Sequence, residues 1–285
     1  MKRNKQVDLK NLTTLKLESV GELFVIKSEE ELIKILKNFK NENINYFVLG
    51  NGSNTILNEK ILCPVLKLDI KNPDYIFDKI QKTYRLSAST SLQKLTSLAL
   101  KHSLKGWECF TGIPATLGGA IFMNAGTGLG EISDIVESVE IINVFGEKVI
   151  ISNDKLKFSY RKNLFLNEGD IISYVTLKYF GIDKEVNGII KKYLRLRSNS
   201  QPLTEHSAGC TYKNYKKENY PAGKFIDLLG LKGLMFKNLQ ISPVHANFIV
   251  NNGVASKKDL VRLLEIIDNE LVSTFGFNFE KEIII

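Results

Sequence analysis

The stretch from residue 111 to residue 130 constrains the fold more than any other part of the sequence. It contains no charged residue and is rich in glycine, alanine and threonine, so it offers little side chain to pack. Irregular segments of this length are uncommon in compact domains and are often functional. Because small residues leave the backbone accessible, a large planar ligand could lie against it and hydrogen-bond its amides. The alternative is tight packing of a glycine-rich loop on a sheet.

Regular elements are predicted on both sides of this stretch. Apolar residues recur with helical spacing at 28–39, 92–101, 186–197 and 256–276, and Ser28 and Ser256 are predicted N-caps. The strands between 136 and 180 are expected to pair antiparallel. Strands are predicted where β-branched and aromatic residues alternate or run together, at 46–49, 65–70, 136–144, 147–151, 171–180 and 277–285.

Length and composition indicate an ordinary folded protein. The 285 residues suffice for two domains with separate cores, and 44% of them are hydrophobic and 25% charged. The basic N-terminal residues lead into no apolar segment, and no apolar run reaches the roughly 18 residues of a membrane span. We therefore expect a cytoplasmic protein without membrane insertion.

The charged residues and the potential metal ligands limit the partners. A net charge of +8 favours anionic partners, but no nucleic-acid-binding motif is present, so no nucleic acid partner is expected. Cys63, Cys109 and Cys210 are scattered along the chain, as are the three histidines. Their spacing predicts free thiols and no metal site.

A second glycine-rich segment, Gly50-Asn51-Gly52-Ser53-Asn54, directly follows a predicted strand. Glycine there would let backbone N–H groups approach a pyrophosphate, and Ser53 and Asn54 would add side-chain donors. The segment does not have the glycine spacing of a Rossmann unit. A plain turn is the alternative interpretation.

The order of several motifs resembles the family of UDP-N-acetylenolpyruvoylglucosamine reductases, in the shorter branch that lacks the tyrosine loop. The resemblance runs from about residue 11 to the C-terminus. The motifs are G-N-G-S-N at 50–54, G-I-P-A-T-L-G-G-A at 112–120, M-N-A-G at 123–126, Y-R at 160–161, G-C-T-Y-K-N at 209–214, P-A-G-K at 221–224, H-A-N-F-I-V-N at 245–251 and E-K-E at 280–282.

The resemblance implies an α+β fold and a reaction. An FAD-binding fold of the vanillyl-alcohol-oxidase type would occupy residues 1–182, as two α+β subdomains at about 1–70 and 71–182. A C-terminal α+β substrate-binding domain would occupy 183–285, its last strand, 277–285, returning to the active site. The implied enzyme is a monomer with noncovalent FAD. It uses NADPH to reduce UDP-N-acetylglucosamine enolpyruvate to UDP-N-acetylmuramate, a peptidoglycan precursor.

The resemblance also implies a role for individual residues. Cofactor binding is assigned to Gly50, Asn51, Gly52, Ser53, Asn54, Gly112, Ile113, Pro114, Thr116, Gly118, Gly119 and Asn124. Substrate binding is assigned to Tyr160, Arg197, Lys213, Asn214, Lys224, Gln240, His245 and Asn247. The implied catalytic residues are Arg161, Cys210 and Glu282.

The chemistry of this reaction suits the three catalytic residues. Hydride delivery to C3 of the enolpyruvyl group leaves negative charge on C2 and the carboxylate, which calls for a fixed cation and a positioned acid. Arg161 offers a planar bidentate donor, Cys210 a proton for C2, and Glu282 a group near the substrate carboxylate. Without the resemblance, Arg161 and Glu282 would be interpreted as solvated surface charges and Cys210 as a small buried residue.

Three positions depart from the family pattern. Cys210 stands where the family usually has a serine as proton donor. Residues 18–21 replace an early Gly-Gly-Pro-Ala, and Ile284 replaces an arginine after the terminal glutamate. Two alternative functions stay open: another FAD-dependent oxidoreductase of the same fold, such as a sugar or alcohol oxidase, and a nonenzymatic nucleotide or nucleic-acid binder.

Overall fold

The computed structural model describes residues 2–73, 77–215 and 220–285, with the backbone alone for residues 2–5. The chain forms two compact units. Unit 1 contains Glu22–Asn51 and Cys63–Arg195, together with the first residues up to Lys5. Unit 2 contains Gln6–Gly21, Gly52–Leu62 and Leu196–Ile285. The domain limits expected from the sequence, at about residue 70 and after residue 182, stay predictions.

The regular elements are numbered along the chain. The helices are α1 (Glu29–Asn41), α2 (Leu92–His102), α3 (Leu117–Phe122), α4 (Val186–Ser200), α5 (Ala222–Leu228) and α6 (Lys257–Phe275). The strands are β1 (Lys2–Asp8), β2 (Val20–Ile26), β3 (Phe47–Val48), β4 (Val65–Leu68), β5 (Phe77–Asp78), β6 (Thr83–Ser87), β7 (Gly126–Thr127), β8 (Gly130–Glu131), β9 (Val136–Ile142), β10 (Lys148–Ser152), β11 (Phe158–Ser159), β12 (Lys162–Asn163), β13 (Ile171–Lys178), β14 (Ser207–Cys210), β15 (Met235–Phe236), β16 (Leu239–Ile241) and β17 (Phe248–Asn251).

The first sheet has the strand order β1-β2-β4-β3, and the pairs β2–β4 and β3–β4 are parallel. Helix α1 packs on this sheet in unit 1. It begins behind Ser28, whose Oγ accepts a hydrogen bond from the Glu31 N–H at 3.3 Å, as the sequence predicts. Its buried face consists of Leu32, Ile35, Leu36 and Phe39.

The second sheet of unit 1 has the order β10-β9-β13-β6-β5, and its strands pair antiparallel. This confirms the antiparallel arrangement predicted between residues 136 and 180. Helices α2 and α3 and the fully buried Trp107 contribute to the core of this sheet. Unit 1 therefore holds a sheet with parallel pairs and an antiparallel sheet, and Ile142 and Ile171 of the antiparallel sheet join the apolar core under α1.

Part of the glycine-rich stretch is helical, which corrects the expectation that it has little side chain to pack. Thr116 caps α3, because its Oγ1 accepts the Gly119 N–H at 3.2 Å. A Cβ on Gly118 would lie 2.9 Å from the Cβ of Ala88, so glycine is required where the helix crosses that residue. The helix is buried through Leu117, Ala120 and Ile121.

Unit 2 is built on an antiparallel sheet with the order β14-β17-β16-β15. Helix α6 begins at a capping box formed by Ser256 and Asp259 and ends at Gly276, whose φ of 76° is left-handed. Both ends agree with the prediction. The apolar face of α6 enters the core through Leu260, Leu263, Leu264, Ile267 and Leu271.

The strand predicted at 277–285 is wrong. The segment makes only isolated bridges, Tyr212 with Lys281 and Thr55 with Ile284. The physical reason is a change of partner. Its backbone pairs first with residues 211–213 and then, beyond Glu282, with residues 54–56, so no continuous ladder forms.

The described residues form neither a membrane-spanning helix nor a metal-binding cluster. None of their helices has the length and apolar character needed to cross a membrane. Within the same residues, no group of three or more histidine, cysteine, aspartate or glutamate side chains is arranged to hold a metal ion.

Candidate active site

The segment 50–54 follows β3, as the sequence predicts, and its first residue is fixed in unit 1. The ammonium of Lys67 on β4 donates a hydrogen bond to the Gly50 carbonyl at 2.6 Å. Burial lowers the pKa of Lys67. A Cβ on Gly50 would lie 2.7 Å from Thr116 Oγ1, so only glycine fits beside the start of α3. These contacts fix the direction in which the segment leaves the sheet.

Beyond Asn51 the same segment belongs to unit 2. Gly52 has a left-handed φ of 59°, and a Cβ there would lie 2.4 Å from the Leu12 carbonyl. That carbonyl and Thr13 therefore require glycine at this position. The Gly52 carbonyl accepts the Thr14 N–H at 3.1 Å, which fastens the segment a second time.

The backbone of segment 50–54 offers hydrogen-bond donors to a ligand. In the part of the chain that the structure describes, the N–H groups of Asn51, Ser53 and Asn54 donate to no protein acceptor. Closely spaced N–H groups beside glycine bind anions such as a pyrophosphate. The segment thus offers backbone donors of the kind that bind a phosphate group.

The second predicted cofactor segment makes hydrogen bonds within unit 1. Gly118 donates its N–H to the Ala88 carbonyl at 2.8 Å and so is used within unit 1. Asn51 Nδ2 donates to the Pro114 carbonyl at 3.3 Å, which links the two predicted cofactor segments. Gly112 has a φ of 73° and follows the short helix Trp107–Phe110. Ile113 is partly buried and packs against the apolar core of the second sheet of unit 1.

Asn124 is 1% exposed and its side chain is committed to protein groups. Its Nδ2 donates to Glu131 Oε2 at 2.9 Å and to the Ser159 carbonyl at 3.1 Å, and its Oδ1 accepts the Ser133 N–H at 3.4 Å. The amide therefore joins α3, β8 and β11. The Asn124 N–H is also used within unit 1, because it donates to the Ile121 carbonyl at 3.2 Å.

The Arg161 guanidinium is held at the β7–β8 hairpin of unit 1. It donates to the Gly126 carbonyl at 3.0 Å and more weakly to the Asn124 carbonyl at 3.5 Å. The guanidinium carbon lies 5.0 Å from the ring centroid of Tyr160, the neighbouring predicted substrate residue. Arg161 itself has a left-handed φ of 55°, which a non-glycine residue adopts rarely. These contacts make it a fixed, half-buried cation.

Within unit 2, the segments that carry Cys210 and Glu282 are neighbours. Cys210 is the last residue of β14. The Glu282 N–H donates to the Thr211 carbonyl at 2.8 Å, and the Glu282 carbonyl accepts Asn54 Nδ2 at 3.0 Å. A Cβ on Gly209 would lie 3.9 Å from the Ser53 carbonyl. Three distant parts of the sequence therefore meet at the end of β14.

Asn247, a predicted substrate residue, has a structural role. It is 2% exposed, and its Oδ1 accepts the Tyr212 N–H at 2.9 Å while its Nδ2 donates to the Tyr212 carbonyl at 2.8 Å. Its own carbonyl accepts the Thr211 N–H at 2.8 Å. Asn247 thus extends the pairing of β14 with β17 past Cys210.

The remaining predicted substrate residues of unit 2 have different surroundings. Burial and the nearby Lys232 ammonium lower the pKa of His245. The His245 Nδ1 accepts the Asn247 N–H at 3.2 Å. Lys224 is exposed. The others bond within the unit: Lys213 to Glu280 at 2.6 Å, Asn214 to the Ala222 N–H at 2.9 Å, Gln240 to the Gly233 carbonyl at 3.3 Å, and Arg197 to Gln201 at 2.8 Å.

Two residues that bond the candidate segments were not predicted from the sequence. Lys67 could have been noticed, because a lysine inside an apolar parallel strand needs a buried acceptor. Asp268, which bonds Tyr212 and Lys281, carries no such signal, because its partners are distant in the sequence.

Comparisons with known proteins agree with these features. Residues 201–285 match the family model of the UDP-N-acetylenolpyruvoylglucosamine reductase C-terminal domain, and residues 22–152 match an FAD-binding domain. The UDP-N-acetylenolpyruvoylglucosamine reductase of Clostridioides difficile (strain 630) is 37% identical over 260 residues, 90% of this chain and 84% of the relative. That of Chlamydia pneumoniae is 35% identical over 282 residues, 98% of this chain and 90% of the relative.

A solved structure extends the comparison to three dimensions. The crystal structure of UDP-N-acetylenolpyruvylglucosamine reductase from Thermus caldophilus matches with a TM-score of 0.82 at 34% identity, covering 99% of this chain and 97% of that one. The predicted α+β fold, with an FAD-binding fold of the vanillyl-alcohol-oxidase type and a C-terminal domain, is confirmed. The chain belongs to the family of UDP-N-acetylenolpyruvoylglucosamine reductases.

Proposed function

We propose that this chain reduces UDP-N-acetylglucosamine enolpyruvate to UDP-N-acetylmuramate, with FAD as cofactor and NADPH as hydride donor. One observation carries the proposal. The hydrogen bond from the Glu282 N–H to the Thr211 carbonyl makes neighbours of two segments, which carry the Glu282 carboxylate and the Cys210 thiol. The chain that contains them is 37% identical to a reductase of this name over 90% of its length. The reduction of an enol ether requires a positioned proton donor, and a thiol on one of these segments can be that donor.

The glycine segment 50–54 fits the pyrophosphate of FAD. The N–H donors of Asn51, Ser53 and Asn54 would hold its oxygens, and the Lys67 bond to Gly50 keeps that carbonyl occupied. Backbone atoms of 112–119 would contact the rest of the cofactor, and Asn124 would hold the neighbouring segments in place through its side-chain bonds. When bound, FAD would supply the hydride chemistry that links NADPH to C3 of the enolpyruvyl group.

The residues of the chain supply binding and proton transfer. Arg161 binds the substrate carboxylate through its planar fork and stabilises the negative charge that develops there. Cys210 gives its Sγ proton to C2, since a thiol with an ordinary pKa near 8.5 is a sufficient acid at neutral pH. Glu282 orients the substrate carboxyl end. Lys213, Asn214 and Lys224 would bind the UDP-sugar, and Lys213 would then exchange its Glu280 partner for a phosphate.

We also propose that the enzyme works as a monomer in the cytoplasm. A single chain supplies a proton donor, a cation and a flavin-binding segment, so the proposed chemistry needs no residue from a second copy. Light scattering on the purified protein tests this directly. A mass near 32.2 kDa supports the monomer, and twice that mass contradicts it.

Turnover of the purified protein tests the function. Incubation with FAD, NADPH and the enolpyruvyl nucleotide should consume NADPH and give UDP-N-acetylmuramate, identified by mass spectrometry. A reaction in which oxygen or a free sugar replaces the enolpyruvyl nucleotide is the matched control, because a sugar or alcohol oxidase would consume it. A colourless protein that takes up no FAD, or oxidase turnover without the nucleotide, would contradict the proposal.

A further inference from the structure

One carboxylate on α6 is bonded to both segments that carry Cys210 and Glu282. Asp268 Oδ1 accepts the Tyr212 hydroxyl at 2.7 Å, and its Oδ2 accepts the Lys281 ammonium at 2.8 Å. Tyr212 lies two residues after Cys210, and Lys281 immediately precedes Glu282. Asp268 therefore bonds a side chain that lies within two residues of each proposed catalytic residue.

The two segments are also coupled to each other. Tyr212 and Lys281 form an antiparallel bridge, and the Lys281 ammonium lies 5.8 Å from the centroid of the Tyr212 ring. On either side of this bridge, the Lys213 N–H donates to the Glu280 carbonyl and the Glu282 N–H donates to the Thr211 carbonyl. A shift of either segment would consequently be transmitted to the other.

The surroundings of Tyr212 make its bond to Asp268 hard to replace. Tyr212 is 1% exposed, and Asn247 holds its backbone on both sides. Burial and the bond to Asp268 raise the pKa of the Tyr212 phenol, so the hydroxyl stays a donor. Without the carboxylate, the buried Tyr212 hydroxyl would lose its acceptor, and the partly exposed Lys281 ammonium would turn to water and no longer bond its segment to α6.

We propose that Asp268 is a positioning residue for substrate reduction, which sets Cys210 and Glu282 relative to each other through Tyr212 and Lys281. The inference rests on the proposed function. It adds a residue that contacts neither the substrate nor the cofactor in the proposed mechanism. Small displacements of groups that must meet a reacting atom cost rate, on the order of 100-fold for about 1 Å.

Holoenzyme variants separate this role from plain stability. The test variants are Asp268→Asn, Tyr212→Phe and Lys281→Gln, and the matched control is Glu270→Gln, an exposed carboxylate on the same helix. Stopped flow would follow NADPH reduction of the flavin and its reoxidation by the enolpyruvyl substrate, well below each variant's Tm. We expect Asp268→Asn to slow reoxidation about 10- to 100-fold, with flavin reduction unchanged.

A second readout is independent of turnover. Iodoacetamide labelling of Cys210 in the protein without substrate, measured by peptide mass spectrometry, should be severalfold faster in Asp268→Asn than in Glu270→Gln, because a loosened segment exposes the thiol. Cys109, which is buried in unit 1, should label equally slowly in both.

Each outcome decides the matter. Slowed reoxidation with faster labelling supports the proposal, and Tyr212→Phe or Lys281→Gln carries the test if Asp268→Asn does not fold. Variants that only lose Tm, with reoxidation and labelling equal to Glu270→Gln, would show a merely stabilising role and overturn it. Failure of the proposed function is separate, since wild-type flavin would then not be reoxidised by the substrate.

Discussion

Replacing Asn247 by alanine removes both hydrogen bonds that the side chain makes to the backbone of Tyr212. The Tyr212 N–H and carbonyl are buried and would lose their partners at 2.9 and 2.8 Å. At about 1–3 kcal/mol for each buried polar group left unsatisfied, unit 2 should lose about 2–6 kcal/mol of unfolding free energy. A residue that served only to contact substrate would instead raise KM and leave this free energy unchanged.

Two measurements check the Asn247→Ala prediction. Urea unfolding followed by far-UV circular dichroism gives the loss of free energy, and Trp107, the single tryptophan, reports by fluorescence on the core of unit 1. Hydrogen exchange by mass spectrometry should show faster exchange in peptides that contain Tyr212. Asn252→Ala is the control, because Asn252 is exposed and, among the described residues, its side chain bonds Gln240 alone. Equal stability and equal exchange in the two variants would refute the reasoning.

Three further perturbations follow from the structure. Arg161→Lys should keep the fold and the flavin but slow substrate reduction on the order of 100-fold, because an ammonium cannot form the guanidinium fork; normal stopped-flow rates would return Arg161 to a surface role. Lys67→Met should weaken FAD binding by freeing the Gly50 carbonyl, and an unchanged Kd in fluorescence titration would contradict this. Asp259→Asn should cost about 1 kcal/mol at pH 7, since the ion pair with Lys237 is lost and the acceptor of the Ser256 N–H loses its charge. The bond from Lys237 lowers the pKa of Asp259 to about 2, so that contribution is present above pH 4 and should vanish as pH falls towards 2. A wild-type to variant difference that does not change with pH would contradict this assignment.

Much of the fold follows from local sequence signals. The caps at Ser28 and Ser256 and the left-handed Gly276 act within one turn of their helices, so short patterns predict α1 and α6. Helix α3 was missed because Gly118 and Gly119 have low helix propensity. The close approach of Ala88 requires glycine at position 118, and no local sequence pattern reveals that contact.

The candidate site likewise combines contiguous motifs, which the sequence predicts, with contacts between distant residues, which it does not. Segment 50–54 and the Tyr160-Arg161 pair were predicted because each is a contiguous motif. The double bond of Asn247 to Tyr212, the Lys67 bond to Gly50 and the Asp268 bonds join residues that are distant in sequence. Such contacts depend on sheet register and helix packing, which the sequence alone did not give.

Reoxidation of the flavin in single turnover tests the central proposal most directly. Enzyme reduced anaerobically with NADPH is mixed with saturating UDP-N-acetylglucosamine enolpyruvate, and flavin absorbance is followed in wild type, Cys210→Ser and Cys210→Ala. We expect the wild type to reoxidise and form UDP-N-acetylmuramate, Cys210→Ser to retain a large part of the rate, and Cys210→Ala to be severely slowed although NADPH still reduces its flavin. A wild type that stays reduced would contradict the proposed reaction, and wild-type reoxidation in Cys210→Ala would assign the C2 proton to another group.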